Sequence, residues 1–100
     1  MRFQDQVVVI TGGGSGIGRE SAIEFAGEGA IVAVSDIDLA TAEGTAEEIQ
    51  KRGGEAAGFA LDTTDPDAVT TFFETVEKRF GRMDVLVNSA GIREISPVVE

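Results

Sequence analysis

The 100-residue chain contains no cysteine and no histidine. The first absence excludes a disulfide framework and a thiolate-bound zinc site. The second excludes a histidine-ligated metal and a histidine-based catalytic triad, so no metal site is expected. Tyrosine and tryptophan are missing as well. Basic residues are scarce: 8 Lys and Arg stand against 18 Asp and Glu, for a net charge of −10. Binding to nucleic acid rests on neutralising many phosphates with Lys and Arg, so no nucleic-acid partner is expected. One bound phosphate ligand needs only local donors and is not excluded. No apolar run approaches the roughly 20 residues that span a bilayer. The opening "MRFQDQ" lacks the apolar stretch of a secretory signal. The expectation is a soluble, cytoplasmic protein with no membrane partner.

What is present is a regular alternation. Hydrophobic residues make up 42% of the chain, enough for a core, and the length sets one domain as the maximum. Gln6 to Thr11 reads as a strand whose contiguous apolar residues imply burial on both faces. Ile17 to about Glu28 reads as a helix ended by Gly29, and Ala30 to Ser35 as a second buried strand. Asp38 is placed to cap a second helix running to about Arg52, with Leu39, Ala42, Ala46 and Ile49 on one stripe and "AEEIQKR" as its solvated side. Lys51 and Arg52 suit its last turn, and Gly53-Gly54 stops it.

Glu55 to Asp62 is a third strand. Asp65 then caps a third helix with Pro66 at its first position and Val69, Phe72, Phe73, Val76 and Phe80 at core spacing; Gly81 ends it. Asp84 to Gly91 is a fourth strand running into a loop, and Pro97 is placed to open a further helix that the residues to Glu100 are too few to form. The pattern β-α-β-α-β-α-β implies parallel strands joined by right-handed crossovers. It predicts an α/β, Rossmann-type doubly wound sheet, first half, with four strands in the order 3-2-1-4 and three helices. In that order the fourth strand, apolar on both faces at Val85-Leu86-Val87, forms an edge open to association.

"TGGGSGIG" (residues 11 to 18) lies between the first strand and the first helix. Such a loop sits at the carboxyl edge of the sheet, where a helix N-terminus offers free N–H groups and the positive end of its dipole. A pyrophosphate can approach them only where side chains are absent. Gly12 permits the turn off Thr11, Gly16 the close approach to phosphate, and Gly18 the packing of helix near strand. A plain glycine-rich turn is the competing reading. Asp36, 20 residues after Gly16 and directly after the second strand, is placed to accept hydrogen bonds from ribose hydroxyls; it also suits a turn or cap. Asp62 and Asn88 end the third and fourth strands at the same edge. The first equally reads as a turn residue, the second as an amide tying loop backbones together.

These segments resemble the short-chain dehydrogenase/reductase family over nearly all of residues 5 to 95. Its T-G-x-x-x-G-x-G motif stands as "TGGGSGIG", its N-N-A-G motif as "NSAG" (Asn88 to Gly91), and "LDTTD" matches its adenine-pocket segment. The resemblance implies an NAD(P)-dependent oxidoreductase moving a hydride between the cofactor and a small alcohol or carbonyl substrate. It implies that Gly12, Ser15, Gly16, Ile17 and Gly18 line the pyrophosphate, Asp36 and Ile37 meet the adenosine ribose, Asp62 and Thr63 the adenine, and Asn88, Ala90 and Gly91 the inner ribose and pyrophosphate. Ser89 departs from the family's second Asn. Asp36 would repel a 2′-phosphate and Ile37 is not an arginine that could pair with one, so NAD is the expected cofactor. The Tyr, Lys, Ser and Asn of the family's chemistry have no counterpart here and are expected beyond Glu100. Residues 1 to 100 are therefore expected to be a truncated cofactor-binding half, inactive alone. The full-length protein is expected to be a homo-oligomer, a dimer or tetramer. Two other readings compete: a non-catalytic nucleotide-binding fragment, and an S-adenosylmethionine-dependent methyltransferase, which also places a glycine loop after strand one and an acid after strand two.

Overall fold

Val7, Val8, Val9 and Ile10 have no solvent exposure. Neighbouring side chains of a strand point to opposite faces, so this run needs a cover on both. Burying each such side chain stabilises by roughly 1.5–3 kcal/mol relative to leaving it in water, and that sum places the strand at the centre of a sheet. A computed structural model, describing residues 2–14, 16–88 and 96–97, has this arrangement. The elements are β1 (Val7–Thr11), α1 (Gly16–Gly27), β2 (Ile31–Asp36), α2 (Leu39–Lys51), β3 (Glu55–Ala60), α3 (Pro66–Phe80), β4 (Val85–Asn88) and β5 (Ser96–Pro97).

The sheet order is β3-β2-β1-β4-β5. The first four strands pair in parallel, in the expected order 3-2-1-4. On one face Val8, Ile10, Val32 and Val34 pack with Ala22 of α1 and Ala42, Ala46 and Ile49 of α2. On the other, Val7, Val9 and Ala33 pack with Leu61 and with Phe72 and Val76 of α3. The sheet is therefore wound on both faces, with α1 and α2 opposite α3.

The caps form as the sequence implies. Asp38 Oδ1 accepts from the Ala40 N–H at 3.0 Å, and Asp65 Oδ1 accepts from Asp67 and Ala68. Gly81 closes α3. Two expectations are corrected. Pro97 opens no helix at its own position: Ser96 and Pro97 pair antiparallel with Leu86 and Val85, so β4 is not a bare edge. Proline lacks the N–H of an interior ladder but suits a sheet rim. Leu39 is 43% exposed, while Thr45 is fully buried on the core side of α2; the buried stripe is turned toward the glycine loop. The α3 aromatics belong to the core as expected, Phe72 buried and Phe73 and Phe80 half-buried against its cluster. Among the described residues α3 is the one helix covering that face.

Two contacts fix the spacing of layers and strands. A Cβ added at Gly58 in β3 would lie 2.9 Å from both Glu43 Cα and Glu43 N of α2, closer than real Cβ contacts. At the amino end of the sheet, the Val7 N–H donates to Asp84 Oδ2 at 2.8 Å and the Asp84 N–H donates to the Val7 carbonyl at 2.9 Å. Arg82 grips the same carboxylate with Nε and Nη2, each at 2.8 Å. The Arg82 hydrogen bond, helped by the Val7 N–H, holds the Asp84 carboxyl below the ordinary carboxylate range.

Gly44, also in α2, has open space where a Cβ would go. Gly44→Ala should therefore raise stability by about 0.5–1 kcal/mol through helix propensity. Gly58→Ala should lower it, because backbone must move. Denaturant melts of the two variants check the opposite signs. For Asp84, whose folded-state pKa is depressed, the stabilisation is present above the unfolded value and is lost as pH falls through the folded one. Asp84→Asn should lower the melting temperature at neutral pH, with the gap to the unsubstituted protein closing below about pH 4. A gap of constant size down to about pH 2 would show that the carboxylate charge contributes nothing.

Candidate functional site

β1, β2, β3 and β4 run in parallel, so their carboxyl ends share one edge. In register, Thr11 stands opposite Ser35 of β2 and Asn88 of β4, and Asp36 opposite Ala60 of β3. The chain leaves β1 through Gly12, whose φ of +70° suits a residue without Cβ, and enters α1 at Gly16, φ +59°. A Cβ on Gly16 would meet nothing within 4 Å, so the α1 N-terminus opens onto free space. The first N–H groups of a helix have no partner within it and carry the positive end of the dipole. The first turn of α1 holds no acidic side chain to compete for them, despite the chain's net charge of −10. Ile17 in that turn is 73% exposed and Gly18 is buried. This bare cradle fits an anionic phosphate group.

Gly13 and Gly14 do something else. The Gly13 N–H donates to the Ser35 carbonyl at 2.9 Å, and a Cβ on Gly13 would lie 2.7 Å from Val34 Cγ1. A Cβ on Gly14 would collide with Thr41 and come within 2.8 Å of Asp36 Oδ2. These two glycines let the loop lie flat on β2 and α2. Their packing role, with that of Thr41 and Thr45 beneath them, has no counterpart in the sequence reading. The only trace of it in the sequence is a polar residue three positions after Ala42 on the buried side of α2.

Asp36 ends β2. Its Oδ2 accepts from the Gly14 N–H and its Oδ1 from the Asp38 N–H, both at 3.0 Å. The carboxylate is thus fixed beside the glycine loop, while the following Ile37 is 74% exposed. The Leu61 N–H donates to the Asp36 carbonyl at 2.8 Å, which draws the segment after β3 to the same place. There Asp62 Oδ1 accepts from the Thr64 hydroxyl at 2.6 Å and the Thr64 N–H at 2.9 Å. The hydroxyl first, then the N–H, hold its carboxyl below the usual range. This geometry matches the turn reading of Asp62; Thr63 between them is exposed. Asn88 Oδ1 accepts from Thr11 Oγ1 at 3.0 Å, so the amide ties the ends of β1 and β4 together as well as standing exposed at the edge. Ser15, Ala90 and Gly91 lie outside the described residues. A second concavity, about 300 Å³ between Arg2, Phe3, Glu24, Phe25 and Glu28, belongs to the amino edge of the sheet. Ligands of parallel α/β sheets bind at the carboxyl edge.

Known proteins share this arrangement. The chain is 52% identical over 90 residues to the "Probable oxidoreductase EphD" of Mycobacterium tuberculosis, covering 90% of this chain and 15% of that protein. Among solved structures, a 7α-hydroxysteroid dehydrogenase complexed with NADH and 7-oxo glycochenodeoxycholic acid superposes with a TM-score of 0.84 at 38% identity, covering 86% of this chain and 34% of that one. A metagenomic short-chain oxidoreductase in complex with NADP superposes with a TM-score of 0.83 at 35% identity, covering 86% and 39%. The chain thus spans well under half the length of each. The methyltransferase alternative falls with these matches. Residues 6–100 match the short chain dehydrogenase family, and the chain belongs to it.

Proposed function

We propose that this chain is the dinucleotide-binding half of a longer NAD(H)-dependent oxidoreductase acting on a small alcohol or carbonyl compound. The family uses nicotinamide cofactors, and the observation that carries the choice of NAD is Asp36. Its carboxylate is held by two backbone N–H groups at the end of β2. It can accept from the vicinal hydroxyls of a ribose, but it opposes a 2′-phosphate by like charge. The adjoining Ile37 offers no cation to offset that repulsion.

In this reading Gly12, Ser15, Gly16, Ile17 and Gly18 receive the pyrophosphate on bare backbone and the α1 dipole. Ile37 and Thr63 flank the adenosine. Asp62 Oδ1 is engaged in its own turn, so any contact with adenine falls to its other oxygen or to the backbone. Asn88, Ala90 and Gly91 pass beside the inner ribose. When bound, the nicotinamide ring supplies the site that gives or takes the hydride. The chain has no Tyr and no His, so the group that moves the alcohol proton belongs to the rest of the longer protein, and residues 1 to 100 alone are inactive. A cytoplasmic homo-oligomer, dimer or tetramer, is the assembly we assign to the full-length protein.

Asp36→Ser combined with Ile37→Arg should shift the ratio of NADPH to NADH affinity toward NADPH by at least about tenfold, a change of about 1.4 kcal/mol. Fluorescence titrations of the full-length protein and the double variant with both reduced cofactors read this. Tighter NADPH than NADH binding by the unsubstituted protein would sink the NAD assignment.

A further inference from the structure

Thr45 is fully buried in the middle of α2. A hydroxyl has one proton to donate and lone pairs to accept with. Here the proton goes to the Gly13 carbonyl, at 2.9 Å, with the Gly14 carbonyl more distant at 3.4 Å. The oxygen in turn accepts from Arg19 Nη1 of α1 at 3.3 Å. The Gly13 carbonyl and the Gly14 N–H belong to one planar peptide, in which C=O and N–H point in opposite directions. The N–H end of that peptide is the one held by Asp36 Oδ2. One peptide plane is therefore gripped at both ends, by Thr45 from beneath and by Asp36 from the side.

We propose that Thr45 is a positioning residue for the phosphate-binding loop: its hydroxyl, polarised by Arg19, fixes the Gly13–Gly14 peptide so that the chain enters α1 with its N-terminus open. The proposal rests on the dinucleotide reading above. With glycine on both sides, little else resists rotation of this peptide. A rotated plane would turn the Gly13 carbonyl toward the Asp36 carboxylate, oxygen against oxygen, and would leave the Gly14 N–H without its acceptor. Without the Thr45 hydroxyl, the carbonyl of the buried Gly13 loses that donor, and an unmet buried acceptor costs enough to move a loop. Thr45 bonds the Gly13–Gly14 backbone behind the cradle, so it acts through the backbone.

The effect should follow the pyrophosphate. In the full-length protein, Thr45→Val keeps the shape of the side chain and removes the hydroxyl. It should weaken NADH and ADP-ribose about tenfold each while adenosine, which has no phosphate, changes by less than about twofold. Thr45→Ser restores the donor and should bind all three as the unsubstituted protein does. Arg19→Met leaves the hydroxyl but removes its polarising partner, and should weaken ADP-ribose by about threefold. Competition titrations against NADH fluorescence, with circular dichroism confirming folded protein, read all of these. A merely structural role would lower the melting temperature without separating adenosine from ADP-ribose. Unchanged ADP-ribose affinity in folded Thr45→Val overturns the proposal, as does an equal loss for adenosine. Should Thr45→Val not fold, unchanged ADP-ribose affinity in Arg19→Met overturns it. An unsubstituted protein that binds neither NADH nor ADP-ribose overturns the dinucleotide reading itself, and this proposal with it.

Discussion

A strand with no exposed surface on either face cannot stand at the rim of a sheet. Val7 to Ile10 are such a run, and the demand for cover on both sides propagates outward from them. β2 and β4 must flank β1, α1 and α2 must lie on one side, and α3 on the other. A parallel neighbour on each side of β1 means that the chain crosses one way after β1 and the other way before β4. The connections leaving the carboxyl ends therefore diverge, and the gap between them is where α1 presents its N-terminus. The site is a by-product of satisfying the central strand.

Much of this is written in local chemistry. Asp38, Asp65, Pro66 and Gly81 sit where caps and stops are needed, and each does what its residue type suggests. Contiguous apolar residues in β1 and β2 announce two-sided burial. What the sequence conceals is rotation and pairing. Leu39 looks like a core residue and Thr45 like a surface one, because periodicity fixes the spacing of a stripe but not its centre; a hydrogen bond to the glycine loop decides that α2 turns Thr45 inward. β5 was invisible because two residues carry no periodicity. Asp62 is placed correctly at the sheet edge, yet its commitment to Thr64 depends on a side-chain rotation that spacing does not encode. Asn88 proves to serve the fold through Thr11 as well as standing at the edge, so its two readings were never exclusive.

Charge is handled locally. A chain at −10 presents a helix N-terminus free of acidic side chains in its first turn, while Asp36 meets two backbone N–H groups and Asp84 meets Arg82 and the Val7 N–H. Among the described residues no buried side-chain nitrogen or oxygen lacks a hydrogen-bond partner. Carboxylates here act as fasteners of backbone at both ends of the sheet: Asp84 ties β4 to β1 at the amino end, and Asp36 ties the loop to β2 at the carboxyl end.

The packing of Gly13 onto Val34 and Ile10, and of Gly14 onto Thr41, bears on whether the glycine loop is a portable module. Its middle glycines are dictated by neighbours on β1, β2 and α2, and would be required even if no ligand ever bound. Gly16, by contrast, has open space above it on the side a ligand would approach. Transplanted onto another strand-turn-helix, the eight letters "TGGGSGIG" would bring their flexibility but not their shape. The graft would have to carry Val34, Asp36, Thr41 and Thr45 as its foundation.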